Sequence, residues 1–157
     1  MSQPLKVVNF AEGGASAFNM ADVSGKRVTH RRAVASGSIY MNEEAFRAVK
    51  NKTLPKGDAL AMAEIAGIMG AKKTPELLPM CHPLPLDHVG VHFSLDEKNH
   101  GVTVYCYVVA AARTGVEMEA LTGVQAALLS LWDLTKPVDP ALRLGDTERS
   151  LAAYRRA

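Results

Sequence analysis

The sequence predicts an α+β protein in which helices cover one face of an antiparallel sheet. Three observations predict this class: an alternating strand hairpin over residues 89–108, an apolar helix before it and a long helix after it. The chain has 157 residues, of which 48% are hydrophobic and 22% charged, so we expect one soluble globular domain over residues 1–157.

The first elements are a loose arm, a strand and a capped helix. Residues 1–20 include the run "EGGASA", which predicts a flexible arm. The stretch "RAVASGSIYM" at 32–41 weakly indicates a strand. Asn42 is a good N-cap for the short helix "EEAFRAVKN", which has acids in its first turn.

The second helix is predicted over about residues 59–73, with Asp58 as its N-cap. Its sequence, "ALAMAEIAGIMGAKK", is small or apolar on several faces. Ala63, Gly67 and Gly70 would let a neighbouring backbone come close. We therefore expect this helix to be buried against a sheet or against another subunit.

The strand hairpin is the clearest local pattern in the chain. "VGVHFSL" and "GVTVYCYVV" both alternate apolar and polar residues, and "DEKNHG" between them suits a tight connection. After the hairpin, residues 114–136 predict one long helix, which Pro137 and Pro140 end.

An irregular loop, "LLPMCHPLPLDH" at 77–88, concentrates groups that can do chemistry. Its prolines fix the backbone path. The ligand spacing for a metal is poor, because there is no Cys-x-x-Cys or His-Glu-x-x-His motif, so we expect no metal. Cys81 beside His82 is a poor nucleophile–base pair, since sequence neighbours usually point apart. A hydrogen-bonding or proton-transferring role for His82 is easier to accept.

Composition excludes several classes of protein. The net charge of +2 gives no overall attraction to nucleic acid. The longest apolar stretch, 102–112, is too short to span a bilayer, and the N-terminal residues lack a signal-peptide pattern. Two cysteines do not form a disulfide framework, which fits a reducing cytoplasm.

Three further polar groups stay open on spacing alone. Lys56 precedes a helix start, where an anion is favoured, but it could equally be a solvated turn lysine. The glutamates of "GVEMEA" could serve a site or only the helix dipole. Asp133 and Lys136 share a helix face, and they could form a weak surface pair or a buried acid–base couple.

Taken together, several motifs resemble the molybdenum cofactor biosynthesis protein C family, the cyclic pyranopterin monophosphate synthases. The similarity runs in order from about residue 18 to about 145. The motifs are "FNMADVSGK" (18–26), "KGD" (56–58), "AEIAGIMGAKKT" (63–74), "LLPMCHPLPL" (77–86) and "TGVEMEALTGVQAALLSLWDLTK" (114–136).

The resemblance implies a ferredoxin-like fold and a cytoplasmic lyase that acts on a small nucleotide-derived substrate, with no cofactor. It implies conversion of 3′,8-cyclo-7,8-dihydro-GTP to the cyclic pyranopterin monophosphate, with release of pyrophosphate. It also implies a homohexamer, a trimer of dimers, with sites at the dimer interface. Neither nucleic acid nor a membrane is an expected partner.

Roles follow from the same resemblance, residue by residue. The catalytic set is Asp133, Lys136 and Lys56. The substrate-binding set is Met80, Cys81, His82, Glu117, Met118, Glu119 and Arg31, the last placed to meet phosphate.

Geometry adds an inference about how a site could use both ends of the last helix. Glu119 and Asp133 are fourteen residues apart, which is roughly 21 Å along an unbroken helix. One nucleotide could hardly touch both in one chain. A site that uses both must therefore draw them from different subunits.

The C-terminal tail departs from the family pattern. Residues 142–157, "LRLGDTERSLAAYRRA", lack the lysine- and glycine-rich ending that contributes a site lysine in the family. We expect a polar turn followed by a helix in this atypical tail, 146–157. Arg149, Arg155 or Arg156 could replace the lost charge, although arginine is a poor proton donor. The alternative function is therefore a diverged, non-catalytic paralogue that binds a nucleotide or pterin and regulates.

Overall fold

One antiparallel sheet organises the chain. The computed structural model describes the backbone of residues 18–155 and the side chains of residues 18–150. The elements are β1 (Thr29–Tyr40), α1 (Glu43–Lys50), α2 (Ala59–Lys72), α3 (Thr74–Leu77), β2 (His88–Asp96), β3 (Gly101–Ala112), α4 (Glu117–Thr135) and β4 (Arg143–Arg155).

The strand order confirms the predicted fold class. The sheet runs β2-β3-β1-β4, and every neighbouring pair is antiparallel. The two long helices, α2 and α4, precede and follow the β2–β3 hairpin, which is the ferredoxin-like arrangement. Within residues 18–155, no helix combines the length and hydropathy that a bilayer crossing needs.

Alternation in β3 shows which face of the sheet the helices cover. Val104 and Cys106 are fully buried, whereas Tyr105 between them is 39% exposed. Val91 on the neighbouring strand is buried, and His92 points to the other, exposed face. The predicted hairpin and its buried side are therefore confirmed.

The N-caps form as predicted. The side chain of Asn42 accepts a hydrogen bond from Ala45 N at 2.8 Å, and that of Asp58 accepts one from Ala61 N at 3.1 Å. Each acceptor satisfies a backbone N–H that has no partner within its own helix. Both helices accordingly begin one residue after these caps.

Small residues let α2 and α4 cross at close range. A Cβ added at Gly70 would lie 2.5 Å from the Ala126 Cβ, and one at Gly67 would lie 3.1 Å from the Gly123 carbonyl oxygen. The first distance is too short for a Cβ without a shift of the helices, and the second is tighter than most Cβ contacts. The expectation that glycines in α2 permit close backbone approach is confirmed, and the neighbour is α4 of the same chain.

The C-terminal prediction of a polar turn followed by a helix was wrong. Residues 143–155 form one strand, β4, which pairs with β1 through Val34↔Leu151 and Arg31↔Tyr154. Local alanines favour a helix, but the hydrogen bonds offered by the edge of β1 outweigh that preference. The predicted arm lies outside the described residues for 1–17, as does the end of the tail, 156–157.

Candidate active site

The residues predicted to form the site fall into two groups at opposite ends of α4. At the start of the helix, Glu117, Met118 and Glu119 occupy the first turn. At its end, Asp133 lies in the last turn and Lys136 is the C-cap residue. The single helix, Glu117–Thr135, is unbroken, so the two groups stay roughly 21 Å apart along its axis in one chain.

The first group closes a cavity of about 220 Å³, which we call the loop cavity. The proline-rich loop reaches it because Asp87 fixes the end of that loop: its backbone N–H donates to Val109 and its carboxylate accepts from Ala111 N. The wall comprises Ala21, Met80, Cys81, His82, Leu84, Thr114, Gly115, Glu117, Met118 and Glu119.

Glu119 is the most enclosed acid of the loop cavity. It is only 3% exposed, and burial, reinforced by the charge of Glu117, raises its pKa above the usual value. The neighbouring Glu117 side chain folds back over Gly115, where an added Cβ would overlap the carboxylate oxygens. Two acids of different burial thus stand side by side at the helix start.

The thiol of Cys81 is kept in its protonated form. Burial and the charge of Glu119 both raise the pKa of Cys81. A nucleophilic cysteine requires the opposite shift, so this environment disfavours covalent catalysis by Cys81. Cys106 is buried in the core, where burial raises its pKa to about 12.

His82 is held by a chain segment that carries no predicted role. Its Nε2 lies 2.7 Å from the backbone oxygen of Ala21. The same histidine lines a second cavity, of about 370 Å³, between Val23, Val28, Leu84 and Ala112. His82 therefore lies between two neighbouring cavities, together with Leu84 and Thr114.

The second group is a compact lysine cluster, Lys56, Asp133 and Lys136. The ammonium of Lys56 lies 3.0 Å from Asp133 Oδ2, and that of Lys136 lies 2.7 Å from Asp133 Oδ1. Gly57, with φ of 98°, supplies the turn between Lys56 and the start of α2. The antiparallel packing of α2 and α4 brings this turn to the end of α4.

The lysine cluster is open to solvent within the single chain. The Asp133 side chain is 54% exposed. Hydrogen bonds from Lys136 and then Lys56, with their charges, lower the pKa of Asp133 to about 2. Within one chain, Asp133 and Lys136 therefore form an exposed, ionised pair.

Other predicted positions lie apart from these groups. Arg31 donates to the backbone oxygens of Ala112 at 3.5 Å and Arg113 at 3.4 Å, and within the described chain it lines neither cavity next to His82. Arg149 is an exposed residue of β4 opposite Ala35. The Arg155 side chain and Arg156 lie outside the described residues.

Sequence reasoning missed the segment that contacts His82. Ala21 contributes a backbone oxygen, and no side-chain pattern announces such a contact. A weak signal was available in "DVS", because Asp22 accepts a hydrogen bond from Ser24 N at 2.8 Å in the kind of turn that this spacing favours. Within residues 18–155, no group of three His, Cys, Asp or Glu side chains is placed to hold a metal ion.

Comparison with known proteins points to one family. The MoaC family model matches residues 20–150. Cyclic pyranopterin monophosphate synthases from Staphylococcus aureus strains Newman and USA300 are each 49% identical over 131 residues, which is 82% of this chain and 80% of each relative. The protein of the same name from strain JH9 is 48% identical over the same shares.

Proposed function

Because the chain belongs to the MoaC family, we propose that it is a cyclic pyranopterin monophosphate synthase of molybdenum cofactor biosynthesis. The substrate in this proposal is 3′,8-cyclo-7,8-dihydro-GTP. The oxygen of a substrate hydroxyl loses its proton to solvent and forms a bond to the α-phosphorus, while the bond from that phosphorus to pyrophosphate breaks. The products are the cyclic phosphate and pyrophosphate. The class is therefore a phosphorus–oxygen lyase.

The lysine cluster supplies what the departure of pyrophosphate requires. Negative charge grows on the leaving group, and fixed positive charge beside it lowers the barrier. Lys56 and Lys136 provide two cations against the single anion of Asp133. Because Asp133 accepts hydrogen bonds from both, it orients both ammonium groups toward one place.

The loop cavity would hold the ring system of the substrate. Its wall combines apolar surface from Met80 and Met118 with hydrogen-bonding groups on His82 and Glu119. This mixture suits a purine-derived ring, which needs both stacking surface and directional polar contacts. Placed there, the ring would lie against Cys81 and Glu117 as well.

A second subunit would bring the two groups together. The separation of roughly 21 Å along α4 prevents one substrate from touching Glu119 and Asp133 of the same chain. On the outer face of α2, Met62, Ile65 and Met69 are 51%, 56% and 51% exposed, and a contiguous apolar surface of this kind favours a partner. We therefore propose a homohexamer, a trimer of dimers in the cytoplasm, with each site at a dimer interface.

Direct turnover tests this function. The purified protein is incubated with the cyclised dihydro-GTP while pyrophosphate and the pterin product are followed together. The matched variants are Lys56→Ala and Asp133→Asn, with Lys98→Ala in the exposed hairpin turn as the control. We expect product from the parent and the control only. Substrate binding without product in the parent would contradict the proposal.

The tail supports a second candidate, a diverged paralogue that binds a nucleotide or pterin and regulates. Residues 142–157 contain no lysine. Residues 143–155 form a strand that pairs with β1, so the backbone of this part of the tail is hydrogen-bonded within the sheet. The same turnover experiment separates the two candidates, because the paralogue binds the substrate and forms no product.

A further inference from the structure

Residues 18–28, which we call the strap, cross the protein in front of His82 before entering β1. Hydrogen bonds at Ala21 and at Lys26 attach the strap to the body of the protein. The Ala21 oxygen lies 2.7 Å from His82 Nε2, and the Lys26 oxygen accepts from Arg113 Nε at 3.1 Å. Between these attachments, the strap turns through a bond from Lys26 N to Val23 O at 3.0 Å.

The first attachment determines which ring nitrogen of His82 carries a proton. A backbone carbonyl oxygen can only accept a hydrogen bond, so Nε2 must donate. In the neutral ring, a proton on Nε2 leaves Nδ1 with the lone pair. If Nδ1 then takes a proton, the cation still donates from Nε2, and the strap contact survives the change of charge.

The groups around His82 show how a free Nδ1 lone pair differs from the other acceptors of the loop cavity. His82 lies in the wall of the loop cavity with the half-buried Glu117 and the buried Glu119. Those carboxylates accept hydrogen bonds when ionised, whereas a basic Nδ1 is a neutral acceptor. The strap also places Val23 and Val28 against the second cavity, so that it covers His82 from one side.

We propose that the strap positions His82 in the Nε2–H form and thereby makes Nδ1 the hydrogen-bond and proton acceptor that this histidine offers to a substrate. The strap is a positioning element, and the segment "ADVSGK" is its sequence. The use on a substrate rests on the proposed function. The tautomer and the strap contact do not, and they are measured without turnover.

Two pairs of variants isolate the contact. In His82→Gln, the side-chain amide can still reach Ala21 O, but the basic ring nitrogen is lost. In His82→Asn, the shorter amide stands near the Nδ1 position and cannot reach the strap. Asp22→Ala removes the acceptor for Ser24 N, and Asp22→Asn retains it. Circular dichroism confirms that each full-length variant is folded.

Limited trypsin digestion measures how firmly the strap is attached, because Lys26 and Arg27 lie within it. Mass spectrometry follows the fragments that begin after these two residues. We expect cleavage there to become about three- to tenfold faster in His82→Asn and Asp22→Ala, the range that loss of one hydrogen bond allows. His82→Gln and Asp22→Asn should match the parent. Unchanged cleavage in His82→Asn would overturn the proposal.

Nitrogen-15 NMR of the ring reads the tautomer. The chain has five histidines, and the His82 signals are those missing from the His82→Asn spectrum. At about pH 8, where histidine is mostly neutral, we expect the proton on Nε2. A proton on Nδ1 would overturn the proposal whatever the activity.

Turnover completes the test. We expect His82→Gln to lower kcat by about 100-fold or more, since it retains the strap and loses the base. Asp22→Ala should lower kcat with Asp22→Asn close to the parent; equal activity of both would overturn the positioning role. If the parent itself forms no product, the proposed function fails. Digestion and NMR still test the strap contact and the tautomer of His82.

Discussion

The two ends of α4 present opposite electrostatic environments. At its start, Glu119 is 3% exposed and burial raises its pKa. At its end, the Asp133 side chain is 54% exposed, and two lysines lower its pKa to about 2. Position on the same helix therefore does not decide the charge state. Burial favours the neutral acid at one end, and paired cations fix the ionised acid at the other.

This contrast separates stability from function. An exposed ion pair stabilises a fold little, because solvent screens it, whereas an acid buried without a cation opposes folding when ionised. The lysine cluster can therefore be altered at little cost to the fold. In the loop cavity the buried acid Glu119 instead makes stability depend on pH, since its ionised form opposes folding.

The largest expected effect is on catalysis at the exposed end. Asp133→Asn should lower kcat by about 100-fold or more, because the two ammonium groups lose the anion that orients them. The melting temperature should change by about a degree or less. Steady-state kinetics and calorimetry on the same preparation measure both quantities. A large loss of melting temperature would show that the cluster is structural.

The next effect concerns the close contact between α2 and α4. In Gly70→Ala, the new Cβ would meet the Ala126 Cβ at 2.5 Å. We expect the free energy of unfolding to fall by about 1–2 kcal/mol, although alanine is the better helix former. Denaturant titration measures it.

The matched control for that helix contact is the double variant Gly70→Ala with Ala126→Gly. It exchanges the methyl group between the helices, so stability should return close to that of the parent. Failure of the second substitution to restore stability would mean that the clash lies elsewhere.

A smaller effect tests the buried acid. Because burial raises the pKa of Glu119, the neutral acid is favoured in the folded state, and ionisation weakens folding as the pH rises through the folded pKa. Glu119→Gln should therefore raise the melting temperature at neutral pH. The gain should vanish below the pKa of an unfolded glutamate, about 4.3, where both side chains are neutral.

The control for that acid is Glu64→Gln on the exposed side of α2. All variants are measured at one protein concentration, since assembly also shifts the melting temperature. It should show no such pH-dependent gain. An equal gain from Glu64→Gln would refute burial as the cause.

The smallest effect is on the thiol next to Glu119. The charge of Glu119 contributes, after burial, to the raised pKa of Cys81. Glu119→Gln should therefore speed alkylation of Cys81 by a few-fold, because the reactive thiolate becomes more populated. Mass spectrometry after timed iodoacetamide labelling measures the rate. Cys106, in the core, is the internal control and should stay unlabelled.

Local patterns were enough to predict most of the fold. The alternation in the hairpin and the caps Asn42 and Asp58 are short-range signals, and the structure confirms them. The C-terminal strand was missed because its pairing partner, β1, lies more than a hundred residues away in sequence. No local pattern in "SLAAYRR" indicates that this segment pairs with the edge of the sheet at β1.

The candidate site was predictable in part. The family resemblance identified Lys56, Asp133 and Lys136, and the structure places both lysines within hydrogen-bonding distance of Asp133. Their exposure could not be predicted, because burial depends on what surrounds the helix end. The strap contact could not be predicted either, because a backbone oxygen such as that of Ala21 is present at every residue.

Complementation between two inactive variants tests the central claim, a synthase site shared by two subunits, most directly. Asp133→Asn and Glu119→Gln subunits are each assayed alone, then mixed, exchanged and assayed for pyranopterin product. A mixed dimer has one site with both substitutions and one with neither. Random exchange should therefore restore about a quarter of the parent's sites. No recovery, with subunit exchange verified by mass spectrometry, would contradict the shared site.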